Sequence, residues 1–533
     1  QSYLFVVNFW IILRYIFDEF VEGSNRRRMT IKNTSRVMRR ALHQLCRIPP
    51  SSLQQRVCGV ATIAASPRGK FSVIEDNDLS AFEKILGKNN VLTEDLDPYN
   101  TDFLHIYKGS SKCVLLPTSS EEVSAILRHC YSRNLAVVPQ SGNTGLVGGS
   151  VPVYDEVVLS LKKLNKNFQF DPHTGSVECD AGLILEEASN RLAPEGYTMP
   201  WDTGSKGSCL LGGNVATGVG GARMLRYGSL HNHITGLKVV LADKKGSVVN
   251  FGSKMRKDNT NLHIHHLFIG SEGQLGVVTG ISMCAVPKPS CVQVAMLGVG
   301  TYSGCRDVLQ LARLYLGEIL SAFEFIDGAS MRCLDENKKL RNVLTSNPPF
   351  NVLVETMGSN EAHDKEKMDS FLKEALNRGL AVDGVQAANA QEAAYMWKLR
   401  NILPIAAMPD GFLCEHDIAL PLEYFYEIAE ILRERLGSMA TRVISFGHMA
   451  EGDNHINISA KKYSNEFMAK IYPFLCEWTV EHGGSISAEH GIGQERRTYA
   501  KIGKGYEVDL ARQLKKQFDP KCILSPYKMI EAL

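Results

Sequence analysis

LAVVPQSGNTGLVGGS, residues 135–150, runs from an apolar, β-branched hexamer into ten residues that hold four glycines. The hexamer reads as a strand. Ahead of it, TSSEEVSAILRHCYSRN (118–134) has helical periodicity, with Ser119 or Ser120 as the cap and glutamates following. SKCVLLP (111–117) is a further strand, so a β-α-β unit leads into the glycine loop. Gly142, Gly145, Gly148 and Gly149 let backbone N–H groups approach an anion closely, and a pyrophosphate suits such a loop. No Gly-Lys-Ser/Thr closes the loop and no GxGxxG opens a helix, which excludes a Walker A loop and gives no support to a Rossmann NAD site.

The pattern repeats downstream. EVVLSL (156–161) and SVECDAG (176–182) read as strands, followed by a helix over LILEEASNRLAPEG (183–196). GSKGSCLLGGNVATGVGGARMLRYGSL (204–230) is a second glycine-rich loop, with six glycines between Gly212 and Gly228. Strands return at 236–243 and 247–252, and LFIGSEGQLGVVTGISM (267–283) adds a third glycine turn and a strand. Tight turns without a ligand would explain one such loop. Two in one α+β region point to a long dinucleotide lying between them. Upstream, Asp78 is expected to cap a short helix reaching Leu86. PKP (287–289) marks a boundary. Beyond it, strands such as 292–299 and 350–358 alternate with amphipathic helices around 303–320, 364–379 and 423–436, as in a separate α+β domain. Residues 460–533 read as mainly helical.

Two segments near the C-terminus carry other chemistry. GHMAEGDNHIN (447–457) holds His448 and His455, and SAEHG (487–491) holds Glu489 beside His490. Two His and one Glu are a common ligand set for a catalytic zinc with one open position; manganese or cobalt would also suit them. VISF (443–446) and HINIS (455–459) read as paired strands, so His448 and His455 are expected to face each other across the ladder. His490 is then free to move a proton. The alternative is two unrelated loop histidines and a surface carboxylate.

The length of 533 residues calls for two or more domains, and 44% apolar with 22% charged residues describes an ordinary globular protein. Thirteen scattered cysteines without a CxxC argue against a disulfide framework or a cysteine zinc site. The net charge is +2, but residues 1–74 hold twelve Lys/Arg against three Asp/Glu, which leaves the rest at −7 and suggests no nucleic-acid partner. From Met29 to Ile74 there are eight basic residues and no acid, the composition of a mitochondrial transit peptide. The apolar run Tyr3–Leu13 is too short to span a bilayer, so no transmembrane segment is expected.

The segments 139–150, 204–221, 226–230, 267–279, 447–457 and 487–493 together resemble the vanillyl-alcohol-oxidase-type FAD flavoproteins, in their D-2-hydroxyacid dehydrogenase branch. The likeness covers roughly 75–530. Composition and periodicity place an upstream extension and transit peptide over 1–74 and a helical lead-in over 75–106. The likeness implies an α+β architecture, with a PCMH-type two-subdomain FAD-binding domain over 107–287 and a substrate and metal domain over 288–533 whose last segment returns to the flavin. It implies that Pro139, Gln140, Ser141, Gly142, Asn143, Thr144, Gly145, Gly148, Gly149 and Ser150 contact FAD. Gly207, Gly212, Gly213, Asn214, Thr217, Gly220, Gly221, Tyr227, Gly228, Glu272, Gly273, Gly276 and Ser525 complete that set. FAD would be non-covalent, since no His lies in 139–150. The resemblance further implies zinc on His448, His455 and Glu489, His490 as the base, and Arg400 gripping the substrate carboxylate. Without it, Arg400 would read as a surface helix charge. The implied reaction converts a D-2-hydroxy acid, first of all D-2-hydroxyglutarate, to the 2-oxo acid. Electron-transfer flavoprotein would accept the electrons in the mitochondrial matrix. A homodimer stays open.

Several substrate-side positions depart from the family pattern. Glu415 stands where the family has a Lys, Pro404 where it has a Thr, and Asp453 where it has an Asn. Glu415 is expected to repel a dicarboxylate by like charge. Gly218 and Ser525 replace asparagines near the cofactor. Three readings follow: the same substrate in a rearranged pocket, a lactate-type or neutral D-2-hydroxy acid, or a flavin-binding protein with little turnover.

Overall fold

The computed structural model describes residues 67–530, so the expected leader lies, up to residue 66, outside the described residues. Three larger sheets, a two-stranded pairing of Tyr197–Thr198 with Val286–Pro287, and flanking helices give an α+β architecture among the described residues. The first has the strand order Val91–Leu92, Val114–Leu115, Val157–Ser160, Val137–Gln140, with the last three mutually parallel. Its crossover helix is Ser120–Arg133. Ser119 is the cap, accepting from the Glu122 N–H, and Asn134 ends the helix in the left-handed region. The lead-in helix Asp76–Leu86 begins earlier than expected. Glu75 is its cap, and Asp78 is the third residue of a capping box that bonds back to the Glu75 N–H.

The second sheet is antiparallel, in the order Phe168–Asp171, Ser176–Asp180, Val277–Cys284, Ile234–Val240, Val248–Gly252. Part of the stretch read as a second loop is a helix, Leu211–Thr217. Its glycines are there for close packing: a Cβ at Gly212 would sit 2.7 Å from the Ala181 Cβ. The two glycine stretches also touch. A Cβ at Gly142 would lie 2.7 Å from the Ser208 carbonyl oxygen, so only glycine lets the first loop approach the second this closely.

The third sheet has seven strands in the order Asp383–Gln386, Cys291–Val299, Phe350–Gly358, Leu320–Asp327, Arg442–His448, Asp453–Ala460, Phe412–Ala419. Helices Tyr302–Leu316 and Glu361–Asn377 bury one face through Val308, Phe323, Phe325, Val354 and Phe371. Helix Ala390–Ile402 covers part of the other through Met396 and Leu399 against Ile326, Leu353 and Phe446. Cross-strand partners share a face, and residues two apart on a strand share it too. The pairs Glu324↔His448, Phe446↔His455, Asp417↔His455 and Glu415↔Asn457 therefore put five ionisable side chains on this second face.

The C-terminal segment returns to the first sheet. The Val137 N–H donates to the Ile523 carbonyl at 2.8 Å and the Ser525 N–H to the Val137 carbonyl at 2.8 Å. Ile523 and Leu524 join the core built by Phe82, Ile126 and Leu159. All described cysteines are free thiols.

Candidate active site

His448 and His455 lie on adjacent antiparallel strands, but not opposite each other. Phe446 is the ladder partner of His455, and His448 pairs with Glu324 on the strand at its other side. The connection after His448 is a 3-10 turn, Met449–Glu451, closed by Gly452 in the left-handed region, and it offsets the two histidines by one two-residue step. Their rings still meet edge to face, 5.5 Å between centroids.

Glu324 was not visible as a site residue, and it organises the centre. Its Oε1 lies 2.7 Å from His448 Nδ1, and its Oε2 accepts from Arg400 Nε at 2.6 Å. One buried carboxylate thus turns His448 Nε2 toward Glu489 and fixes the guanidinium beside it. Burial would raise the Glu324 pKa, but the charges of His448 and Arg400 prevail and hold it at about 2. Burial likewise works against a charged His448, and the Glu324 carboxylate outweighs it, raising that imidazole well above its usual range. Burial, with the Arg400 charge added, lowers His455 to about 3, so it stays a neutral imidazole with a free lone pair.

Glu489 arrives on the SAEHG loop. Its Oε1 is 3.6 Å from His455 Nε2 and 3.8 Å from His448 Nε2. Its Oε2 accepts from the Gly221 N–H at 2.9 Å, which joins the second glycine stretch to the His/Glu cluster. Asp417 holds the loop, and it too was missed. Its Oδ2 accepts the backbone N–H groups of Glu489 at 2.8 Å and His490 at 2.7 Å, while Oδ1 is paired with Arg496. The His490 ring stacks on His455, with Nδ1 3.6 Å from Asp417 Oδ1 and Nε2 4.0 Å from Glu489 Oε1. His490 is partly exposed, so it can meet a ligand.

One donor atom from each of His448, Asp453, His455 and Glu489 lies within 4.8 Å of the others. Imidazoles and carboxylates of this kind fit a divalent ion, which would take the place of the proton on His448. The Glu324–His448 pair is the carboxylate–histidine arrangement that orients metal ligands. Glu324→Gln is therefore expected to weaken divalent-metal affinity by roughly 10–100-fold, measured by competition with a chromogenic chelator.

The other expected site residues divide. Arg400 is buried against the cluster, its Nη2 3.4 Å from His448 Nε2. The Pro404 carbonyl accepts from Asn457 Nδ2 at 2.9 Å, beside Glu415 in the ladder. Burial, with Glu495 and Asp417 nearby, pushes Glu415 up to about 8. Part of it is therefore protonated near neutral pH, which weakens the expected like-charge repulsion.

In the first glycine loop, Gln140 Nε2 donates to the Tyr99 and Ser150 carbonyls, and Ser150 Oγ donates to Asn143 Oδ1 at 2.6 Å. These three hold the loop's shape, with Thr144 and Gly145 half-buried within it. Glu272 accepts the N–H groups of Ile492 at 2.7 Å and Gly493 at 2.8 Å, so its carboxylate ties the SAEHGIG loop to the second sheet. Gly276 serves packing, since a Cβ there would lie 2.6 Å from Val239 Cγ1. The Ser525 Oγ is buried without a hydrogen-bond partner beside this region. Lys528, unnoticed in the sequence, is buried and donates to the Gly149 carbonyl at 2.7 Å.

A family model described as "FAD binding domain" matches residues 111–252, and one described as "FAD linked oxidases, C-terminal domain" matches 288–529. The chain is 46% identical to a mitochondrial D-2-hydroxyglutarate dehydrogenase of Arabidopsis thaliana, over 86% of this chain and 82% of that protein. It is 44% identical to the protein of that name from Rattus norvegicus, over 87% and 86%. Among solved structures, p-cresol methylhydroxylase with substrate bound aligns with a TM-score of 0.68 at 16% identity, covering 88% of this chain and 99% of that one, a likeness of fold. With glycine loops against a His/Glu cluster and relatives of this identity along most of its length, the chain belongs to the D-2-hydroxyglutarate dehydrogenase family of FAD-linked oxidases.

Proposed function

We propose that this chain oxidises the C2 hydroxyl of a D-2-hydroxy acid, foremost D-2-hydroxyglutarate, to the ketone. The observation that carries the reading is the Gly221 N–H bonded to Glu489, which brings the FAD-type glycine stretch against a His/Glu donor set. The two glycine stretches would hold FAD non-covalently, which would supply a hydride acceptor, and His448, His455 and Glu489 would hold a divalent ion, which would supply a Lewis acid for the hydroxyl. The chain's own residues do the rest. Arg400 binds the C1 carboxylate with the guanidinium edge that Glu324 leaves free. His490 takes the hydroxyl proton, as imidazole suits a base working near neutral pH. Asp417 fixes His490 through its backbone and ring.

The relatives' names support a mitochondrial setting, and the acid-free stretch 29–74 agrees with it. The matrix and electron-transfer flavoprotein as acceptor complete the reading. Among the described residues no helix is long and apolar enough to cross a membrane.

A second reading has its own observation: Glu415 and Glu495 are both half-buried acids with raised pKa beside Asp417. Such a pocket end favours a neutral or lactate-type D-2-hydroxy acid over a second carboxylate. Anaerobic flavin bleaching with a panel of D-2-hydroxy acids separates the two. Under the first reading wild type is bleached by D-2-hydroxyglutarate, and Glu415→Lys raises that rate alone, by about 10-fold for one new charged hydrogen bond. Bleaching by short neutral acids only would establish the second reading. Yellow protein that no such acid bleaches would leave a flavin-binding role.

A further inference from the structure

We propose that Asp453 is a fourth, inner-sphere ligand of the ion that His448, His455 and Glu489 would hold. The inference rests on the metal reading of that cluster. Asp453 opens its strand two residues before His455, so both side chains leave the sheet on one face. Its Oδ1 is buried and has no hydrogen-bond partner, although His455 Nδ1 lies 3.9 Å away. A buried carboxylate oxygen left unsatisfied is costly unless a cation meets it.

The charges around the centre point the same way. Carboxyl groups gather there, among them Glu324, Asp417, Glu451, Asp453 and Glu489. Glu324 is paired with Arg400 and Asp417 with Arg496. Glu489 has the Gly221 N–H and imidazoles for company, and Asp453 has no Arg or Lys partner. Asp453 and Glu489, the two carboxylates of the donor set, thus both lack a guanidinium partner, and one divalent cation would balance the pair.

The consequence concerns the open position. Three protein ligands leave a tetrahedral site one vacancy, and a fourth fills it. A substrate hydroxyl then has to enter as a fifth ligand or displace the Asp453 carboxylate. Two carboxylates also shift the site toward harder ions such as Mn²⁺.

The test uses the full chain with FAD bound, stripped with a chelator and titrated with Co²⁺ by calorimetry and visible absorption. Wild type is expected to bind one Co²⁺ per chain. Asp453→Asn is expected to bind it on the order of 100-fold more weakly, since loss of even an outer-sphere partner costs 10–100-fold, and to show a changed d–d spectrum. Asp453→Cys supplies a positive signal: a thiolate at this position should give a sulfur-to-cobalt charge-transfer band, with flavin absorbance reporting that the variant is folded. Unchanged affinity and spectrum in Asp453→Asn, or Co²⁺ bound to Asp453→Cys without the band, would overturn the assignment and leave the three-ligand site standing. Wild type that takes up no Co²⁺, Mn²⁺ or Zn²⁺ would overturn both.

Discussion

His490→Ala should lower the rate of flavin reduction by about 10²–10⁴-fold, the usual contribution of a positioned general base, with FAD content unchanged. The ring is partly exposed, and its near neighbours are the His455 face, Asp417 and Glu489. Truncation therefore removes the proton acceptor and little packing. Stopped-flow reduction under anaerobic conditions is the measurement. The loss should fall on the limiting rate rather than on the substrate concentration giving half of it, because Arg400 and the donor set are untouched. A variant that reduces its flavin at the wild-type rate would remove His490 from the reaction.

Arg496→Met should destabilise the protein by about 3–5 kcal/mol, as expected when one partner of a buried ion pair is removed. Asp417 is fully buried and Arg496 nearly so. Without the guanidinium, Asp417 keeps two backbone N–H donors but loses its countercharge. Urea unfolding reads the loss, and Asp417→Asn in the same chain should recover part of it. Burial alone would raise the Asp417 pKa; Arg496, and then His490, outweigh it and hold it below the usual carboxylate value. A group depressed in the folded state stabilises above its unfolded pKa and loses that contribution as pH falls through the folded one. Wild type should therefore show an acid limb, starting below about pH 4, that is shallower in the Met variant, where Glu324 and Glu489 still contribute. Equal stability of the two chains would mean that the pair is not holding the loop.

The parts legible in the sequence are those whose signal is local. The glycine loop after residues 135–140, the crossover helix with its Ser119 cap, and the His-Glu-His residues of 447–457 and 487–491 each lie within one short window. Residues joined by distant pairing were not legible. Glu324 sits in Leu320–Asp327, a strand buried on both faces, so no apolar–polar alternation marked it. Its partner His448 is 124 residues away, and Asp417 is 79 residues from Arg496. Glycines hid the helix Leu211–Thr217, because low helix propensity masks a helix whose small residues are needed for contact with Ala181. The one-step offset of His448 from His455 came from the turn at Met449–Glu451, whose geometry the letters MAEGDN did not specify. Glu415 was legible as a residue but not in its charge state, which depends on Glu495, eighty residues on.

The central claim is that one centre combines the glycine-bound flavin with the His448, His455, Glu489 and His490 cluster to oxidise a D-2-hydroxy acid. Anaerobic titration of the purified, FAD-loaded protein with the D and L enantiomers of 2-hydroxyglutarate tests it most directly. The account predicts bleaching of the flavin by the D enantiomer, with one equivalent of 2-oxo acid formed per flavin, and none by the L enantiomer. Flavin left oxidised by D-2-hydroxyglutarate and by every other D-2-hydroxy acid tried would contradict it.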